Sequence, residues 1–269
     1  MYRTILVPLD RSQQAESAVR VADAFARRLG AKVDLIVSSA VGLDTEEHEQ
    51  YLQKVAGNLS APTGKLEVCI SDNVTESIVE AMRARPDSLL CMSTHGRGGL
   101  GQAMMGSIAE AVVREAGVPV LMVGPDVPEP PDAGLDAIQV CLDGSESAGQ
   151  LIPIAASWAK ELSARLWLVE VQSPENRPGA NQDIVESGYL AQVGERLRAD
   201  GIDAEWDVLH DKSPDKALVA FREHQPVSLI MIATHGRTGL RRIAFGSVAM
   251  HVARHAKSPV LMYHPLSTD

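Results

Sequence analysis

The feature that most constrains the fold of this 269-residue chain is an internal repeat of the pattern Thr-His-Gly, nine residues, Gly-Ser. Its two copies are Thr94-His95-Gly96-Arg97 with Gly106-Ser107 and, 140 positions later, Thr234-His235-Gly236-Arg237 with Gly246-Ser247. Residues 93–123 and 233–263 agree at 16 of 31 positions, chiefly at glycines, the Gly-Ser pair and the closing Pro-Val-Leu-Met. The repeat predicts two domains of one fold, each with the same site.

Short apolar runs alternate with amphipathic segments in both halves, which predicts an α/β fold with a parallel sheet in each half. In the first half we predict strands at 4–10, 33–37, 66–70, 88–92 and 119–123, and helices at 15–29, 45–59, 75–84 and 107–116. In the second half we predict strands at 138–143, 166–171, 204–209, 229–233 and 260–263, and helices at 151–162, in a segment ending near 198, at 216–223 and at 247–256.

The two domains are expected at residues 1–125 and 136–269. Between them, residues 126–135 contain Pro128, Pro130 and Pro131, which indicates a stiff, exposed linker.

Charge and apolar content exclude several classes of partner. The chain has 35 acidic and 25 basic residues, a net charge of −10, which argues against binding nucleic acid. No run of about 18 apolar residues is present, and the chain begins directly with a strand-like segment, so we expect a soluble, cytoplasmic protein without a membrane partner. The three cysteines lie in apolar runs and are expected to be buried, reduced thiols.

The repeat lies where such sheets bind ligands, beyond the carboxyl ends of the strands. Asp10 and Asp143 end the first strands, and the Thr-His-Gly-Arg segments follow the fourth strands. If strands one and four are neighbours, each aspartate and its glycine loop face one crevice. The Gly-Ser pairs begin helices, whose amide groups and dipoles suit a phosphate. Ser107 and Ser247 are expected to cap these helices, to contact phosphate, or to do both.

These residues resemble the universal stress protein family, and specifically its tandem members. Val7-Pro8-Leu9-Asp10 and Val140-Cys141-Leu142-Asp143-Gly144-Ser145 resemble the family's opening strand and turn, and the repeats resemble its signature GxxGxxxxxxxxxG(S/T). The resemblance covers nearly the whole chain. It implies two Rossmann-like domains of the adenine nucleotide alpha hydrolase type, each with five parallel strands and helices on both faces, a role in the stress response, and ATP with Mg²⁺ as the ligand.

By this resemblance, Asp10 and Asp143 would contact the adenosine, the backbone near Ser38 and Val171 the adenine edge, and the glycine loops the ribose and phosphates. The implied ATP-binding residues are Pro8, Asp10, Ser38, Ser93, Gly96, Arg97, Gly106 and Ser107 in copy one, and Asp143, Val171, Ala233, Gly236, Arg237, Arg241, Gly246 and Ser247 in copy two.

Two differences from the signature bear on affinity. Ser93 and Ala233 stand where the family has its first signature glycine, so each adds a small side chain near the expected nucleotide. Copy two has Arg237, Arg241 and Arg242 in its loop, whereas copy one has Arg97 alone. Because guanidinium groups pair strongly with phosphate, we predict tighter binding at copy two.

The residue pattern favours a binding protein over an enzyme. We expect no metal site and assign no catalytic residue, because His95 and His235 lack partners at ligand spacing, and His251 and His255 have no counterparts in copy one. Two alternatives stay open: an interaction module that has lost nucleotide binding, and a slow ATPase.

The fifth strands, at 119–123 and 259–263, are apolar throughout and have proline only at their first residue. An uncovered edge of this kind invites pairing, so we expect the two strands to meet and the chain to form an intramolecular pseudo-dimer. Ordinary core strands covered by helices are the alternative, and a homodimer of whole chains also stays open.

Overall fold

The apolar runs form the strands of a sheet, and the amphipathic segments form helices that cover it. The computed structural model describes residues 2–40, 45–96, 105–128, 135–173, 188–235 and 245–265.

Within these residues, the first half alternates strands with helices in the expected order. Its elements are β1 (Thr4–Leu9), α1 (Gln13–Leu29), β2 (Lys32–Ser39), α2 (Glu46–Ala56), β3 (Thr63–Ile70), α3 (Val74–Arg83), β4 (Ser88–Ser93), α4 (Ser107–Ala116) and β5 (Val120–Val123). Helix α1 shows how local sequence sets the bounds. The Ser12 hydroxyl accepts a hydrogen bond from the Ala15 amide at 3.1 Å, and Gly30 ends the helix at φ 64°.

The second half repeats this order with one break. Its elements are β6 (Ala137–Cys141), α5 (Glu146–Gly149), α6 (Leu151–Leu162), β7 (Arg165–Gln172), α7 (Gly188–Ala199), β8 (Ala204–His210), α8 (Pro214–Ala220) with a 3-10 turn at Phe221–Glu223, β9 (Leu229–Ala233), α9 (Ser247–His255) and β10 (Val260–Tyr263). Helices α5 and α6 together occupy the place of α1. Pro153 explains the break, because its ring has no amide hydrogen and crowds the carbonyl of Gly149, where α5 ends.

The described strands form one ten-stranded sheet in the order β3-β2-β1-β4-β5-β10-β9-β6-β7-β8. Strand β1 lies between β2 and β4, and β6 lies between β7 and β9, all in parallel. At the centre, β5 pairs with β10 in antiparallel orientation, with Leu121 opposite Leu261. The two fifth strands therefore join the halves directly.

Helices cover both faces of the sheet. One apolar cluster lies under α1, α2, α6 and α7 and includes Phe25 and Trp158. The other lies under α3, α4, α8 and α9 and includes Val112 and Val252. Each cluster contains residues from both halves, so the apolar core continues across the junction between them.

The end of the expected linker is packed rather than exposed. Leu135 is fully buried in the cluster under α1 and α6, and Val127 packs against the same cluster. Proline content indicated an exposed segment, but it cannot show that Leu135 leads into β6 and shares its apolar surroundings. Residues 129–134 lie outside the described part of the chain.

In the described ranges, no helix has both the length and the apolar character needed to cross a bilayer.

Candidate functional site

Strands β1 and β4 lie side by side in copy one, and the region beyond their carboxyl ends is the candidate cleft of this copy. Asp10 follows β1 and Gly96 follows β4, and a Cβ built on Gly96 would overlap the Asp10 carboxylate. Glycine is thus the residue that lets the loop approach Asp10 so closely. The expectation that the aspartate and the glycine motif share one crevice is confirmed for copy one.

Each aspartate accepts hydrogen bonds from the serine two residues after it in the sequence. The Oδ1 atom of Asp10 accepts hydrogen bonds from the Ser12 amide at 3.0 Å and the Ser12 hydroxyl at 2.5 Å. In copy two, Asp143 Oδ1 accepts the same pair from Ser145, at 3.0 and 2.6 Å. We did not predict this role for Ser12 and Ser145, although the Asp-x-Ser spacing in both copies is the signal for it.

The residue between aspartate and serine has a left-handed backbone in both copies. Gly144 adopts this conformation at φ 77°, whereas Arg11 adopts it at φ 66° despite its side chain. The Arg11 guanidinium lies 3.2 Å from Glu47 Oε2 and 5.8 Å from the centre of the Tyr51 ring. This cation of copy one is therefore engaged by α2.

The glycine of each Gly-Ser pair closes the base of its loop. The Gly106 amide donates to the Thr94 carbonyl at 2.8 Å, and the Gly246 amide donates to the Thr234 carbonyl at 2.7 Å. A Cβ on Gly106 or Gly246 would stand 3.4 or 3.0 Å from that carbonyl oxygen. The approach is tight for a side chain at Gly246, whereas at Gly106 it is an ordinary van der Waals contact.

The N-cap residues of α4 and α9 are Gly106 and Gly246, and neither helix has a side-chain cap hydrogen bond. Of the alternatives left open for Ser107 and Ser247, N-capping is therefore excluded, and contact with a phosphate stays a prediction. They are the first helical residues because the glycines already take the cap conformation. Both serines are exposed, and among the described residues no side chain caps the positive ends of the two helix dipoles, an arrangement that suits an anion.

Pro8, Ser38 and Val171 lie on strands that border the clefts. Pro8 pairs with Ile36 on the neighbouring strand, and the Ser38 hydroxyl accepts a hydrogen bond from Ser77 Oγ at 3.3 Å. Val171 lies near the end of β7 and packs against the cluster under α8 and α9. The positions expected at the adenine edge thus have a polar side chain in copy one and an apolar one in copy two.

Ser93 and Ala233, which replace the first signature glycine, direct their side chains into contacts within the protein. The Ser93 hydroxyl donates to the His95 carbonyl at 2.5 Å. Ala233 belongs to the cluster under α1 and α6. Their exposed fractions are only 9% and 8%, so neither side chain extends far into solvent.

Four of the expected residues, Arg97, Gly236, Arg237 and Arg241, lie outside the described residues.

The histidines of the repeat order the start of each loop. The Thr94 hydroxyl lies 2.9 Å from His95 Nδ1, and the Thr234 hydroxyl lies 3.1 Å from His235 Nδ1 and 2.8 Å from His264 Nδ1. Burial lowers the pKa of His264, and nearby His235 and Arg114 lower it further. His264 has no histidine counterpart in copy one, so the repeat could not reveal it.

A tyrosine that we did not predict lies near each aspartate. The Tyr51 hydroxyl donates to Glu16 Oε1 at 3.0 Å, and burial raises the pKa of Tyr51. Burial also raises the pKa of Tyr189, with further contributions from Asp143 and the buried Glu170. Both phenols therefore stay neutral at ordinary pH.

The two clefts open at opposite edges of the sheet. Each cleft lies at the carboxyl ends of its own parallel strands. Because β5 and β10 run antiparallel, those ends point in opposite directions in the two halves.

Both halves of the chain are similar to known proteins. The family model for the universal stress protein family matches residues 1–124 and 135–264. A universal stress protein of Mycobacterium tuberculosis is 27% identical over 182 residues, which cover 65% of this chain and 61% of that relative. The match thus spans about three fifths of the relative's length. A universal stress protein of Mycolicibacterium smegmatis is 25% identical and covers 97% of both chains.

Among solved structures, a universal stress protein from Archaeoglobus fulgidus has the same fold, with a TM-score of 0.69. It is 19% identical, and the alignment covers 98% of this chain and 99% of that one. With a family match in each half and one fold along the whole length, the chain belongs to the universal stress protein family and contains two of its domains.

Proposed function

We propose that this chain binds ATP in each half and acts through binding rather than catalysis. The observation that carries this proposal is one geometry found twice: a serine-held aspartate after the first strand and a glycine-capped helix after the fourth. The family to which the chain belongs supports a cytoplasmic role in the stress response.

The phosphates would lie at the first turns of α4 and α9, beside Gly106, Ser107, Gly246 and Ser247, where the helix dipoles favour negative charge. Mg²⁺ would accompany the nucleotide and neutralise part of its charge. Asp10 and Asp143 would each accept a hydrogen bond from the ribose.

The state of the side chains supports binding over turnover. Each aspartate already accepts two hydrogen bonds from its serine, which suits it to orient a ligand more than to take up a proton. The tyrosines near the clefts have raised pKa values and would act as neutral hydrogen-bond donors.

The pairing of β5 with β10 supports a second proposal, that the chain is an intramolecular pseudo-dimer of its two domains. The fifth strands cover each other's edges, which would otherwise present unpaired backbone groups.

Nucleotide binding is tested first by denaturing the purified protein and separating the released small molecules by chromatography. ATP or ADP recovered in proportion to protein is the expected result. Calorimetric titration of the emptied protein with ATP then compares Gly106→Glu with Gly246→Glu. Each new carboxylate is placed at the phosphate end of one cleft, so each variant is expected to lose one site.

If copy two binds more tightly, Gly246→Glu removes the tighter of the two binding events in the titration. Equal losses of ATP affinity in the two variants would contradict the predicted difference between the copies. Gly57→Glu is the matched control, because it adds the same charge at the end of α2, where the nearest atoms are at an ordinary 3.5 Å.

A protein without nucleotide and without a thermal shift on adding ATP would be an interaction module. Steady ADP production that stops in Asp143→Asn would identify a slow ATPase.

A further inference from the structure

Two histidines and two aspartates come together beside α9, and none of the four belongs to the clefts described above. His251 and His255 are one helical turn apart on α9. Asp215 reaches them from α8, and Asp126 reaches them from the segment that follows β5. The cluster thus joins two helices of the second half to the chain leaving the first half.

Each imidazole has a carboxylate at the same ring nitrogen. His251 Nδ1 lies 3.2 Å from Asp215 Oδ2, and His255 Nδ1 lies 3.7 Å from Asp126 Oδ2. The ring centres are 4.4 Å apart, with 44° between the ring planes. The side chains are 28% and 41% exposed, so a small solute can reach them from solvent.

This arrangement resembles the support that metal-binding histidines use. A carboxylate near Nδ1 favours a proton on that nitrogen and leaves Nε2 with its lone pair. Asp215, at 3.2 Å, is close enough to act in this way, whereas Asp126, at 3.7 Å, lies within ion-pair range only. Histidines at i and i+4 share one helix face, a spacing that serves metal ligation.

We propose that His251 and His255 bind a divalent first-row transition-metal ion of the Zn²⁺ or Ni²⁺ type, with Asp215 and Asp126 orienting the two rings. Imidazole suits these ions, whereas Mg²⁺ prefers oxygen ligands. Within the described part of the chain, no three or more His, Cys, Asp and Glu side chains form a metal-holding group. The site therefore has two protein ligands and takes the others from water.

The sequence alone led us to expect no metal here, because Ala111 and Glu115 occupy the matching positions of copy one. The carboxylates that change this interpretation are distant in sequence: Asp215 lies 36 positions before His251, and Asp126 lies 129 positions before His255. Local spacing could therefore not reveal them. Because Asp126 follows β5, an ion on these rings also stabilises the contact between α9 and the first half.

The test is calorimetric titration of the full-length, tag-free chain with Zn²⁺, Ni²⁺ and Mg²⁺ near pH 7.5. We expect one equivalent of Zn²⁺ or Ni²⁺ to bind and no saturable binding of Mg²⁺. His251→Gln and His255→Gln should each weaken Zn²⁺ binding by at least about tenfold, and Asp215→Asn should weaken it while both ligands remain. The His224→Gln control changes an exposed histidine outside the cluster and should keep wild-type affinity.

Zn²⁺ should also raise the melting temperature of the wild-type chain but not that of His251→Gln, which gives a readout independent of binding heat. Affinity should fall as the pH is lowered toward about 5.5, because protons compete for the imidazoles. The proposal is overturned if Zn²⁺ and Ni²⁺ show no saturable binding, or if both histidine variants bind as the wild type does. Equal weakening by His224→Gln would also overturn it, since the ion would then bind histidines without selection.

Discussion

At the scale of single residues, the two halves fill one equivalent position differently. In copy one, buried Asp34 accepts a hydrogen bond from Arg85 Nε at 2.8 Å and another from the Lys65 amide at 2.9 Å. In copy two, Trp167 stands at that position of its strand and meets the Phe221 ring edge-on at 5.8 Å. A buried charge thus depends on one arginine where the other half has an aromatic pair.

Replacing Arg85 with methionine should therefore be costly. The Arg85→Met variant leaves the Asp34 carboxylate, whose side chain is 2% exposed, without its cation, and we expect a loss of about 3 kcal/mol in the free energy of unfolding. Urea denaturation measures this. Arg165→Met is the matched control, since Arg165 pairs with Asp203 at the same 2.8 Å but in solvent, and it should remain close to wild type. Similar losses in both variants would contradict the prediction.

Residue contacts of this kind show where sequence reasoning succeeds and where it stops. The positions of Asp10 and Gly96 at the ends of strands were enough to place them in one crevice, because parallel strands end at the same edge. Nothing in the spacing of Asp34 and Arg85 predicts their contact, which depends on how α3 packs on the sheet. His264 was not predicted because it lies just beyond the end of the repeat.

At the scale of elements, the contact between β5 and α9 depends on Gly124. A Cβ at this position would stand 2.7 Å from the Ala253 carbonyl oxygen and 3.0 Å from that of Arg254. Both are backbone atoms, so the helix itself would have to move. Gly124 therefore sets how closely the helix of one half approaches the strand of the other.

Gly124→Ala should destabilise the chain by about 1–3 kcal/mol, because the added methyl group overpacks this contact. Gly188→Ala is the control: nothing lies within 4 Å of its Cβ position, so it should be neutral or slightly stabilising. Thermal melting of both variants beside the wild type is the measurement. An unchanged melting temperature for Gly124→Ala would show that α9 can shift without cost.

Element types were predictable to within a few residues, since buried parallel strands and amphipathic helices have distinct apolar periods. The residues that cap the helices were harder to predict from the sequence. The residue types at Gly106-Ser107 allowed either residue to be the cap, and the approach of the Thr94 carbonyl decides for glycine. The helix predicted at 151–162 has the bounds of α6, but the short helix α5 before it was not predicted.

At the scale of the whole molecule, side chains as well as strands join the halves. Trp158 of the second half meets the rings of Tyr2 and Phe25 edge-on, with centres 5.9 and 6.2 Å apart. Arg28 donates a hydrogen bond to the Leu162 carbonyl at 2.8 Å, at the end of α6. Aromatic contacts of this type contribute about 0.5–1.5 kcal/mol each beyond the area they bury, so the halves should unfold together.

A chain consisting of residues 1–128 alone should therefore form a homodimer. Without β10 the edge of β5 is uncovered, and pairing with a second β5 restores the antiparallel contact. Light scattering after size-exclusion chromatography measures the mass, with the full-length chain at the same concentration as the reference. A folded monomer of residues 1–128 would contradict this expectation and would show that β10 is dispensable to the first half.

The antiparallel pairing at the centre of the sheet also limits how the two clefts can communicate. Two molecules bound at opposite rims of one sheet would be kept apart by the length of its strands, so they could not touch each other. Occupancy at one rim can reach the other only as a shift passed through the central strands and the helix ends packed on them. A binding partner that recognises both occupied clefts must therefore extend around the sheet, or come as two molecules approaching from opposite sides.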